Sequence, residues 1–285
     1  MSELGEFLKA KRAAVSPEEV GLPAVGNPRR VPGLRREEVA MLAAVSVDHY
    51  TRLEQGRVSA ASENLLAGIA RALRLTQEEH EYLRMLVQVR PRSGRSEEPE
   101  VGAPVRDLLA AMTAPALVLG PRTDILAWNA GAAALFFDFA EVPVAQRALV
   151  RMVFLEPRIR GLFVHWEQVA AEAVDRLRMA AARTPGDPRL AQLVGELSVH
   201  DKDFRRWWAG HGVRTLAGGR KRLRHRVVGE LELDWQVLQV LTAKDQTLVT
   251  YTAPAGSLSH EALRILCSWQ ADAPVRRPGA IDLDR

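Results

Sequence analysis

Apolar positions in the first ninety residues recur at helical spacing. Leu4, Phe7 and Leu8, followed by Lys9–Arg12, predict a short amphipathic helix that Ser16-Pro17 ends. Residues 17–33 break the pattern. Pro17, Gly21, Pro23, Gly26, Pro28, Pro32 and Gly33 leave no room for a regular helix or strand and predict a long loop. From Leu34 the spacing returns, with Val39, Leu42 and Ala43 inside and Arg35–Glu38 outside. Ser46 restarts a helix as its N-cap, Val47, Tyr50 and Leu53 follow at intervals of three, and Gly56 ends it. Ser62 caps a helix through Leu65, Leu66, Ile69, Ala70 and Leu73. Thr76 and Glu79 form a capping box for another through Tyr82, Leu83, Leu86 and Val87. Residues 1–90 therefore predict an all-α domain of five short helices.

Residues 91–103 lose all apolar period and predict a linker. Beyond it the pattern is mixed. Ala116–Leu119 and Ile125–Ala127 are short β-type runs around a turn at Gly120–Asp124. Residues 128–140, 166–183 and 189–198 predict helices. Val227-Val228, Leu231–Leu241 and Thr247–Thr252 predict strands with hairpin-like breaks at Gly229 and Lys244-Asp245-Gln246, and Glu261–Trp269 predicts a last helix. Residues 104–270 thus predict an α+β domain, and 271–285 a flexible tail.

With 285 residues, 47% hydrophobic and 26% charged, the chain has an ordinary globular composition and a length that favours two cores. Its longest uncharged apolar stretch, near Thr113–Leu119, is far too short to span a membrane. The first residues lack an apolar signal core, and the single Cys267 permits neither an internal disulfide nor a thiolate metal cage. The expected location is the cytoplasm, with no membrane partner. The net charge of +4 is mild, but its distribution is uneven. Four arginines and no acid lie between Arg29 and Arg36, and nine Lys/Arg against two Asp lie between His200 and Arg226.

The most informative stretch is Arg35–Gly56. Two helices of about eight residues meet at a three-residue corner. Ala40 is small where the helices cross, Val45 is buried at the corner, and Tyr50 and Leu53 pin the second helix to the core. Val47, Asp48, His49, Thr51 and Arg52 remain for the opposite face. This is the layout of a helix-turn-helix, whose second helix enters the DNA major groove; an ordinary helical hairpin has the same outline.

Residues 1–90 resemble the XRE/Cro-type helix-turn-helix regulators. The string Gly21-Leu22-Pro23, Arg29–Ala40, Val45–Asp48 and Tyr50–Gly56 resembles the MmyB-like subgroup of bacterial regulators. The resemblance continues in order through Asp124–Asn129, Phe154-Leu155, Gly195–Ser198, Phe204–Arg206, Lys221-Arg222, His225 and Val228–Leu231, covering roughly residues 3–270. It implies a five-helix DNA-binding domain followed by a PAS-like ligand-binding domain with a mainly antiparallel sheet, thought to hold a fatty-acid-like molecule. Three positions depart from the pattern. Ala44 stands at a corner that usually carries glycine, His49 where tyrosine is more usual, and Arg226 where proline is expected.

Arg52 is the candidate base reader, since an arginine can bridge guanine O6 and N7. Ser46, Val47, His49 and Thr51 share its helix, and Ser46 can also present the helix's first amides to a phosphate. Arg29, Arg30, Arg35 and Arg36 are candidate phosphate contacts, or merely solubilise the loop. For the second domain the candidate ligand residues are Trp128, Phe136, Phe154 and Phe163, with Arg220, Arg222 and His225 near a head group. Full and hollow cores use the same aromatic residues, and a basic run is often only a solvated face, so both readings stay open. The expected ligand is a fatty acid or similar apolar carboxylate. No H-E-x-x-H, G-x-S-x-G or P-loop occurs and the histidines lack metal spacing, so no catalytic or metal site is expected. The expected function is a sequence-specific transcriptional regulator that binds double-stranded DNA as a homodimer and senses a small apolar ligand. The alternative is a ligand-independent regulator, or an interaction module, whose second domain only dimerises.

Overall fold

The computed structural model describes residues 2–23, 33–57, 61–88, 100–210, 212–213 and 217–271. The chain forms two compact units, one from residues 1–93 and 178–215, the other from residues 94–177 and 216–285.

The first unit opens with five helices: α1 (Glu3–Ala14), α2 (Arg36–Leu42), α3 (Val47–Glu54), α4 (Glu63–Ala72) and α5 (Gln77–Gln88). Local chemistry starts them where the sequence predicts. The Ser46 Oγ accepts from the His49 amide at 3.1 Å and the Ser62 Oγ from the Leu65 amide at 3.3 Å. At α5, Thr76 and Glu79 cap each other's amides reciprocally, at 3.0 and 3.3 Å. Phe7, Leu8, Leu34, Tyr50, Leu53, Leu66, Ile69 and Tyr82 are fully buried in one core. Among the described residues of the 17–33 stretch, a 3₁₀ turn forms at Glu18–Val20. Met179, Ala182 and Val213 join the same core from the later segment, which carries the end of α10 (Trp166–Arg183) and the whole of α11 (Pro188–His200) and α12 (Lys202–Ala209).

The second unit holds α6 (Ala103–Ala111), β1 (Ala116–Leu119), β2 (Ile125–Trp128), α7 (Ala130–Leu135), α8 (Leu149–Leu155), α9 (Pro157–Leu162), the first part of α10, β3 (Gly218–His225), β4 (Gly229–Gln239), β5 (Thr247–Thr252) and α13 (Leu258–Ala271). Its five strands make one antiparallel sheet in the order β2-β1-β5-β4-β3. Asn129 ties β2 to α7. Its Oδ1 accepts from the amides of Ala116 and Ala132, and its Nδ2 donates to the carbonyls of Met112 and Ala114. A buried amide with every bond made fixes that junction.

One strand expectation is corrected, and one strand was not foreseen. Val227-Val228 lies in the turn after β3, not in a strand. The strand before that turn is the basic run itself, Gly218–His225, paired with β4 so that Arg220 faces Asp234, Arg222 faces Glu232 and Arg224 faces Glu230. Its outward residues are cations matched to carboxylates across the ladder, a pattern that hydrophobic periodicity does not detect.

Candidate functional site

At the helix-turn-helix, the chain leaves α2 through Ala43 and turns at Ala44, whose φ of 56° lies in the left-handed region. The Val45 amide bonds back to the Ala40 carbonyl at 2.9 Å, and Ser46 starts α3. Tyr50 and Leu53 anchor α3 from below, and burial raises the pKa of the Tyr50 hydroxyl. The opposite face is presented to solvent: Val47, Asp48, His49 and Arg52 are exposed and Thr51 half-buried. Arg52 Nε lies 3.1 Å from Asp48 Oδ2, one helical turn away, in a surface pair that a phosphate or a base edge can displace.

The loop arginines divide. Arg29 and Arg30 lie outside the described residues. Arg35 precedes α2, and its amide donates to Glu38 Oε2 at 2.7 Å. Arg36 reaches the Glu54 carboxylate at 2.8 Å, and that hydrogen bond raises its pKa. Arg12 from α1 joins the same carboxylate at 2.9 Å and also donates to the Leu34 carbonyl. Glu54, with its side chain 3% exposed, thus ties α1 and α2 to the end of α3. Sequence reasoning missed it, though a signal was present. A carboxylate at a helix C-terminus opposes the helix dipole and needs a cation nearby.

In the second unit the predicted aromatic residues separate into two groups. Phe136 lies 6.4 Å from Phe163, 5.3 Å from Tyr251 and 6.1 Å from Phe139, and Phe139 lies 5.4 Å from Trp128. Phe154 packs instead on Trp166, whose indole donates to the Val153 carbonyl. A cleft of about 200 Å³ opens beside β3, lined by Phe163, Val169, Glu172 and Lys221, with Arg220 and Arg222 also at its wall. Arg220 is engaged by Asp234 and Glu232 at 2.8 and 2.9 Å, and Arg222 by Glu230 at 3.3 Å.

Lys221, absent from the predicted set, points the other way. Its ammonium lies 4.5 Å from the Trp235 ring centre and 5.7 Å from that of Phe163, with Glu172 at 2.9 Å. Burial lowers its pKa against the pull of Glu172. Strand alternation was the available signal, because Lys221 shares the parity of Leu223.

His225 lies off the cleft. Its Nε2 meets the Ala134 carbonyl at 3.2 Å, and its Nδ1 accepts from the Val227 and Val228 amides. Those partners select the neutral tautomer protonated on Nε2, and burial lowers its pKa. Among the described residues no helix is long and apolar enough to cross a membrane, and no group of His, Cys, Asp or Glu is placed to hold a metal ion.

Two family models match the chain. The MmyB-like transcription regulator ligand binding domain matches residues 101–266, and a helix-turn-helix domain matches residues 3–83. No curated protein matches it.

Proposed function

Because this chain belongs to the MmyB-like transcription regulators, with a helix-turn-helix domain ahead of that family's ligand-binding domain, we propose that it is a sequence-specific bacterial regulator that reads DNA with α3 and senses an apolar carboxylate with its second unit. The observation that carries the DNA half is the face of α3. Ser46 caps the exposed helix start, and His49 and Arg52 stand exposed above an anchored Tyr50 and Leu53. One such helix spans a half-site, which supports a homodimer on a two-fold operator. Arg52→Ala is expected to relax specificity at one base pair by about 1–3 kcal/mol. Arg30→Ala is expected to weaken binding to all sequences about equally. Fluorescence anisotropy over a salt series tests both: affinity that does not fall as salt rises removes the DNA reading.

For the ligand half, the family match and the cleft support a carboxylate beside Lys221, with Arg220 and Arg222 at the rim. A fatty acid is the compound class of choice. A volume of about 200 Å³ suits a head group and a short stem, since pockets for larger ligands start near ~300 Å³. A long chain must therefore part the rings around Phe136. The packing of those rings favours a second reading, a filled domain that only dimerises. Native mass spectrometry with thermal shift separates the two. A bare polypeptide mass and no shift with long-chain acids would leave dimerisation alone.

A further inference from the structure

Arg178 is the largest of the fully buried side chains and sits in the last turns of α10. Its Nη1 donates to Glu3 Oε1 at 2.9 Å, its Nη2 donates to the Trp208 carbonyl, and its guanidinium lies 4.4 Å from the Trp208 ring centre. The Tyr82 hydroxyl donates to the same Glu3 oxygen at 2.8 Å. Helices α1, α5 and α10 thus meet at one carboxylate, and α12 joins them through Arg178. Removing Glu3 takes a counter-charge from a fully buried guanidinium, so these elements move together or separate at a cost.

Glu3 opens the first turn of α1, and that turn rests on the end of the recognition helix at backbone distance. A Cβ added to Gly5 would lie 2.2 Å from the Glu54 carbonyl oxygen, and one added to Gly56 would lie 2.1 Å from Ser2 Oγ. Ser2 Oγ in turn caps the Gly5 amide at 3.2 Å. Gly5 meets the Glu54 carbonyl with no side chain between them, and Ser2 Oγ fills the space beside Gly56, so a displacement of Glu3 reaches the last turn of α3.

We propose that Arg178 is a positioning residue for DNA recognition: through Glu3 it sets the seat of α3. This rests on the DNA reading of α3 given above, and the test is a double-mutant cycle read as DNA affinity.

The full-length protein is measured by anisotropy on a selected operator at fixed salt, with circular dichroism and thermal unfolding alongside. Glu3→Gln and Arg178→Gln are each expected to weaken DNA binding roughly fivefold or more, and the pair together no further than the worse single change. Arg178→Lys keeps the charge on Glu3 and should recover part of the loss. If Arg178→Gln fails to fold, Glu3→Gln carries the test, because Glu3 is a third exposed. Folded variants that bind DNA like the native protein overturn the proposal, whereas a native protein that binds no DNA counts against the DNA reading itself.

Discussion

Ala44 occupies the left-handed region without being glycine, and it is exposed, with nothing to repack. Ala44→Gly removes steric strain of about 1–2 kcal/mol while adding freedom to the unfolded chain. A net gain of about 0.5–1 kcal/mol is expected in urea denaturation. Glu54 predicts the opposite sign. Glu54→Gln strips the shared carboxylate from Arg12 and Arg36 and is expected to cost about 3 kcal/mol. His225 supplies a pH dependence. Its folded pKa lies below the ordinary 6.5, so the unfolded chain binds the extra proton first. The stabilisation is complete above 6.5, and is lost as pH falls through the lowered folded value. Protonated Nδ1 could no longer accept from Val227 and Val228. Unfolding followed from pH 8 to pH 5 should show a decline that His225→Gln flattens.

At the scale of elements, what was legible was what is local. Ser46, Ser62 and Thr76 mark their helices because a cap acts within three residues, and Tyr50 and Leu53 mark the buried face of α3 because the helical period repeats along the chain. The β3 strand was not legible as a strand. Its outward positions Arg220, Arg222 and Arg224 and its inward Lys221 read as one basic run, and their logic lies in Asp234, Glu232 and Glu230 on the neighbouring strand. The candidate ligand site suffers the same way. The sequence supplies Phe136 and Phe163, but their approach, and that of Lys221 to Glu172, depends on strand order and on α10. Because the outer β3–β4 pairs are exposed, Arg224→Ala is expected to change stability by no more than about 0.5 kcal/mol. A loss several times larger in thermal unfolding would show that the ladder holds the sheet together.

Over the whole molecule, one chain carries a helix-turn-helix domain and a ligand-binding domain of a regulator family. A ligand can alter DNA binding only through unequal affinity for the competent and incompetent states. The central claim is that α3 reads sequence, with Arg52 and His49 exposed on its outer face and Ser46 at its start. Selection of bound duplexes from a random-sequence DNA pool by the full-length protein tests it most directly. The native protein is expected to enrich a two-fold symmetric motif with half-sites about one helical turn apart, ~10 base pairs, and Arg52→Ala to change the base preference at one position of each half-site. A pool that emerges without an enriched motif, or the same motif from the native protein and from Arg52→Ala, would contradict it.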